Sequence, residues 1–196
     1  MSRTTRYKAL YFGMVLGGTT FFIWATIRFH LGIAGIFLLA MFLLIPGRVL
    51  GFYWRDLLQG LRLLKEAKYE ESKRHSEIFL VTIRLRPWLK KLIWLGSGSY
   101  SRDPEALALN NLGAAEVMLG EHDGARMHLQ ESIAADKLNP LPYFNMGALL
   151  TSMGESDEAS SWFARAVELG YSRNSVDKII QAAQSRFART DGHGSS

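Results

Sequence analysis

Two apolar runs open the chain and then give way to helical periodicity. Ala9 to Ile27 is 19 residues without a charge, and Leu31 to Gly47 is 17. A membrane-spanning helix needs about 20 mostly apolar residues. The first run meets that length. The second meets it when the helix continues past Pro46 and Arg48 to the cluster Phe52-Tyr53-Trp54. Proline is tolerated inside a membrane helix, and aromatic residues suit the interface. Only Arg28, Phe29 and His30 separate the runs. The pattern therefore predicts a basic N-terminus over 1–8 and a transmembrane helical hairpin over 9–54. Gly17-Gly18 in one helix and Gly32 with Gly35 in the other offer places for close backbone approach. A signal peptide would have a shorter apolar core, of about 7–15 residues, and a small-residue cleavage site. A buried soluble hairpin is the other alternative.

Residues 55–101 are polar and amphipathic. Leu57, Leu58, Leu61 and Leu64 fall at helical spacing, with Glu66, Lys68, Glu70, Glu71, Lys73 and Arg74 on a solvated face. Over 78–95, Leu85, Trp88, Leu89, Leu92 and Leu95 form one helical stripe, with Pro87 at a helix start. Arg84, Arg86, Lys90 and Lys91 make a third span unfavourable. Two arrangements fit. The segment lies on an anionic membrane surface through Arg84, Arg86, Trp88, Lys90, Lys91 and Trp94, or its stripe packs on the neighbouring domain. Gly96-Ser97-Gly98-Ser99 then reads as a linker, and Asp103-Pro104-Glu105 as a helix start.

A repeat follows. Shifting 106–139 by 34 residues superimposes it on 140–173, with eight identities: Leu107/Leu141, Asn111/Asn145, Gly113/Gly147, Ala114/Ala148, Gly120/Gly154, Glu121/Glu155, Asp123/Asp157 and Ala125/Ala159. Similar pairs such as Leu129/Phe163 and Ile133/Val167 extend it. This period and pattern resemble the tetratricopeptide repeat, a helix–turn–helix unit. The small residues Gly113, Gly147, Ala125 and Ala159 would let two helices approach, and Gly120 and Gly154 would make the turn. Three departures stand out. Leu109 occupies a place usually aromatic, Glu116 a place usually bulky, and Lys137 and Tyr171 stand where a closing proline is usual. Solenoids need about three units or caps. Residues 174–189 read as a C-terminal capping helix with Val176, Ile179, Ile180 and Phe187 on its apolar face. Gly60 and the run Ala67–Ser72 fit a degenerate earlier unit over 53–86, displaced by 53 residues rather than 34. The expected class is all-α: the hairpin, then a repeat solenoid with its cap over 102–189, then a disordered tail over 190–196.

Charge sharpens this division. Net charge is +5, yet residues 1–55 hold Arg3, Arg6, Lys8, Arg28, Arg48 and Arg55 and no acid, whereas residues 102–196 hold eight basic and thirteen acidic residues. The basic excess belongs to the membrane-proximal half, which argues against a nucleic-acid partner. By the distribution of basic flanks, both termini are expected to face the cytoplasm; the expected membrane is a bacterial inner membrane, with an organelle membrane as the alternative. Cysteine is absent, so thiolate metal sites are excluded. His30, His75, His122, His128 and His193 lack metal-ligand spacing and read as surface residues. No catalytic site, metal, cofactor or small-molecule substrate is read from the chain.

The resemblance implies protein partners held on a concave face lined by the first helix of each unit. Here that face would carry Leu107, Asn110, Asn111, Ala114, Val117 and Met118, then Leu141, Phe144, Asn145, Ala148, Thr151 and Ser152. Asn111 and Asn145 occupy one place in consecutive units; an amide can hold a bound peptide or satisfy local backbone groups. The expectation is a membrane-anchored adaptor for membrane-protein partners. The alternative is a structural subunit held by the hairpin itself.

Overall fold

The computed structural model describes residues 3–30, 32–95, 101–172, 174 and 176, and all regular structure among them is helical. α1 (Arg3–Arg28) and α2 (Gly32–Tyr53) form an antiparallel hairpin of 26 and 22 residues. The turn uses left-handed backbone at His30 (φ 51°) and Gly32 (φ 50°). Gly18 lies against the Phe42 ring and Gly35 against the Thr26 side chain. Phe22 and Phe42 stack with centroids 4.9 Å apart. The close approach falls on Gly18 and Gly35 alone, because Gly17 and Gly32 face open space. Most side chains of both helices point outward, Met14, Leu16, Ile33 and Phe37 among them. Among the described residues α2 alone is long and apolar enough to cross a bilayer; the apolar part of α1, Phe12–Arg28, is shorter.

Trp54 joins α2 to α3 (Arg55–Lys65) through a single non-helical residue. Its N–H still donates to Leu50 O, and its carbonyl accepts from Leu58 N, both at 2.9 Å. α3 therefore grows out of α2 across a kink. α4 (Tyr69–Leu85) returns antiparallel, and a 3₁₀ helix (Pro87–Leu95) follows it.

Two more hairpins stack on the first: α5 (Pro104–Leu119) with α6 (His122–Ala135), and α7 (Pro140–Ser152) with α8 (Ser156–Glu168). Asp103 and Asn139 cap α5 and α7 by accepting from Glu105 N and Leu141 N, each followed by proline. All three hairpins share one internal metric. The crossing glycine packs on residues twelve or sixteen beyond it: Ser72 and Ser76 for Gly60, Ala125 and Leu129 for Gly113, and Phe163 for Gly147. Seven residues beyond it lies the left-handed turn residue: Ala67 (φ 59°), Gly120 (φ 77°) and Gly154 (φ 83°). A Cβ on Gly113 would meet Leu129 Cγ at 2.7 Å, and one on Gly147 would meet Phe163 Cε1 at 2.7 Å. The glycines are thus required by close packing.

Two apolar clusters hold the stack. One joins Trp54, Leu57, Phe79 and Ile83 to Leu89, Ile93, Leu109 and Leu112. The other joins Leu129, Met146, Leu149, Leu150 and Phe163 to Val176. The 3₁₀ helix therefore turns Leu89 and Ile93 into the first cluster, and the Leu85 and Trp88 end of the expected stripe is left exposed. The α-helix ends at Arg86 (φ −130°, ψ 71°), so one continuous stripe over 78–95 does not form. Asn174 and Val176 are helical; the rest of the expected cap and the tail lie outside the described residues.

Candidate functional site

The first helices of the three hairpins, α3, α5 and α7, lie side by side and present one face. On it Ala114, Val117, Ala148 and Thr151 are half-buried, Ser152 is exposed, and Met118 is 57% exposed. These residues form an open apolar strip without a formal charge.

The asparagines belong to the packing instead. Asn110 and Asn111 are buried at 3% and 5% exposure, and Asn145 Nδ2 donates to Asn110 Oδ1 at 2.8 Å. Asn110 and Asn111 are therefore corrected from exposed groove residues to contacts inside the stack. Leu107 packs on the first apolar cluster. Leu141 is half-buried beside the cap of α7. Phe144 meets Tyr171 at 4.3 Å and Phe163 at 5.7 Å between ring centroids, so its ring closes the C-terminal end of the face. Tyr171 stands where the closing proline is usual and fills this gap.

The expected membrane-surface set divides. Arg84 donates to Glu105 at 2.7 Å and to Glu131 at 3.2 Å; Lys90 reaches Glu105 at 2.7 Å and Asp103 at 3.2 Å. These two cations clamp α4 and the 3₁₀ helix to α5 and α6. Burial pushes the Glu105 carboxyl upward, but the hydrogen bonds from Lys90 and Arg84 outweigh it and hold the group below its ordinary range. Arg86, Trp88 and Lys91 remain exposed, and the Trp88 ring meets Tyr53 edge-on at 5.2 Å, beside the end of α2. The Trp94 side chain lies outside the described residues.

Two histidines expected at the surface are half-buried and bonded. His75 Nδ1 lies 2.9 Å from Asp56 Oδ1, and His128 Nδ1 lies 2.8 Å from Glu116 Oε2. Glu116 is 3% exposed; burial raises its pKa, and His128 and Lys73 only partly oppose that. Lys73 in turn pairs with Glu121 at the start of α6, tying the first hairpin to the second. The unusual Glu116 was the one signal in the sequence for this cluster, since His128 follows it by one hairpin's return.

The tetratricopeptide repeat family profile matches residues 106–135, the span of α5 and α6. That hairpin is a tetratricopeptide repeat. No curated protein and no solved structure matches the chain. The repeat suggests a scaffold for protein–protein interaction. The other two hairpins reproduce its spacing.

Proposed function

We propose that the chain is a membrane-anchored adaptor of three tetratricopeptide-like hairpins. α1 and α2 sit in the bilayer, and the open strip on α5 and α7 binds a segment of a membrane-protein partner. The observation that carries this reading is the kinked junction at Trp54. It makes the solenoid a direct outgrowth of a long apolar helix whose side chains are exposed. Packing in water leaves no such surface uncovered. Anchoring also raises the effective concentration of a partner in the same membrane, so a weak groove suffices. The strip lacks charge, which suits the apolar face of a helix. The basic flanks Arg48 and Arg55 support a cytoplasmic side for the solenoid, with a bacterial inner membrane as the proposed setting. Assembly or stabilisation of a membrane complex is the role this combination serves.

The exposed hairpin equally supports the second reading, a subunit held within a complex by α1 and α2. The double variant Met118→Arg with Ser152→Arg separates them, since both sites are exposed and remote from the hairpin. The adaptor loses its co-purifying partner while staying in the membrane fraction. A subunit held by the hairpin keeps it.

A further inference from the structure

The C-terminal end of α2 carries an open hollow of about 670 Å³ lined by Gly47, Arg48, Gly51, Phe52, Tyr53 and Arg55, with Val49. The sequence explains its shape. Arg48 near the end of α2 and Arg55 at the start of α3 stand on either side of the Trp54 junction, and both line the hollow. Gly51 lies between them in the chain, and a Cβ placed on it or on Gly47 meets nothing within 4 Å. The hollow exists because two side chains are missing at positions beside two arginines that line the space. Both arginines and Phe52 are exposed.

The charge in the hollow is unbalanced. No acid precedes Asp56 in the chain. Asp56 itself is engaged by His75 Nδ1 at 2.9 Å on the opposite hairpin helix. Below Arg48, on the same face of α2, stand the exposed apolar side chains of Met41 and Leu44. Reading upward, the chain runs from apolar side chains to a cleft without side chains that has an arginine before and after Gly51, with aromatic rings beside it. Apolar surface leading into a cationic cleft matches the acyl chains and phosphate of a phospholipid.

We infer that this hollow is a binding site for one anionic phospholipid of the bilayer, its phosphate held by Arg48 and Arg55 and its acyl chains lying along Met41 and Leu44. The inference rests on the reading that α2 is in the membrane. Guanidinium is suited to phosphate because its planar donors bond two oxygens at once. Selection for a net negative headgroup follows, because a zwitterionic lipid brings its own cation into a site that already holds two.

The test uses the full chain in micelles containing phosphatidylglycerol and phosphatidylcholine in equal amounts, with retained lipid identified by native mass spectrometry. The wild type retains phosphatidylglycerol in preference. Each arginine contributes a factor of about five, roughly thirtyfold together. Arg48→Gln with Arg55→Gln abolishes that preference. Gly51→Leu, which keeps both charges and fills the hollow, abolishes it as well. Equal retention of the two lipids by the wild type overturns the inference, as does an undiminished preference in either variant. Displacement of the lipid by excess inorganic phosphate also overturns it, since that identifies a site for free anions. Alkaline carbonate extraction of native membranes isolates the underlying reading. Release of the wild type there defeats anchoring and this site together, whereas a retained protein without lipid preference defeats the site alone.

Discussion

Asn145 gives its side-chain amide to Asn110 Oδ1 at 2.8 Å, and so α7 is bonded to α5 by side chains as well as packed on it. Asn110 is almost fully buried. A buried amide that loses its partner keeps its desolvation cost. Asn145→Ala should therefore destabilise the protein by about 1–2 kcal/mol. Met118→Ala on the exposed strip should stay within about 0.5 kcal/mol of wild type. Thermal or denaturant unfolding of both checks this; equal effects would contradict the assigned roles.

Ala67 occupies the left-handed turn position that glycine fills in the other two hairpins. A Cβ in that conformation costs roughly 1–2 kcal/mol, partly offset by the entropy glycine loses on folding. Ala67→Gly should raise stability by about 0.5–1 kcal/mol. A loss of stability would mean that the first hairpin does not share the geometry of the others.

Glu116 is buried and its pKa is raised. A carboxyl whose folded pKa exceeds its unfolded one favours the fold when protonated, and that contribution is lost as pH rises through the folded pKa. Glu116→Gln keeps a hydrogen-bonding partner for His128 without the charge. Its unfolding midpoint should exceed that of wild type near neutral pH, and the gap should close as the pH falls toward about 4.5. Denaturant midpoints over this range measure it; a gap that widens on acidification would contradict the assignment.

Glu105 behaves in the opposite sense, being held low by Lys90 and Arg84 once burial is outweighed. Its stabilisation is present above the ordinary glutamate pKa and disappears as pH falls through the lower folded value. Glu105→Gln should cost on the order of 1 kcal/mol at neutral pH and nothing in acid. It should also loosen the 3₁₀ helix, seen as faster amide exchange at Leu89 and Ile93.

The parts of this fold that local periodicity controls were legible in the sequence. The apolar runs became α1 and α2, and the 34-residue period became two stacked hairpins. Gly60 and the run Ala67–Ser72 pointed to an earlier unit, and the structure puts Ala67 in the left-handed turn conformation there. What stayed hidden depends on which helices become neighbours. The pairs Asn145–Asn110, Lys73–Glu121 and Arg84–Glu131 each join different hairpins, and nothing in their spacing announces them. The stripe expected after α4 packs on the neighbouring helices through Leu89 and Leu92 but not through Leu85 and Trp88, for a different reason. An α-helical wheel groups Leu85 and Trp88 with Leu89, but the backbone breaks at Arg86 and continues as a 3₁₀ helix of about three residues per turn. Across that break Leu89 and Ile93 are buried while Leu85 and Trp88 stay outside.

The most direct measurement places a photo-crosslinking amino acid at Met118 of the full chain in living cells, with Met127 as the matched site. Both side chains are exposed, at 57% and 50%, but Met127 lies on α6, away from the strip. The account predicts one discrete membrane-protein adduct from Met118, absent from Met127 and lost in the Ser152→Arg background. Adducts of equal yield from both positions, or none from Met118, would contradict the binding strip and with it the adaptor function.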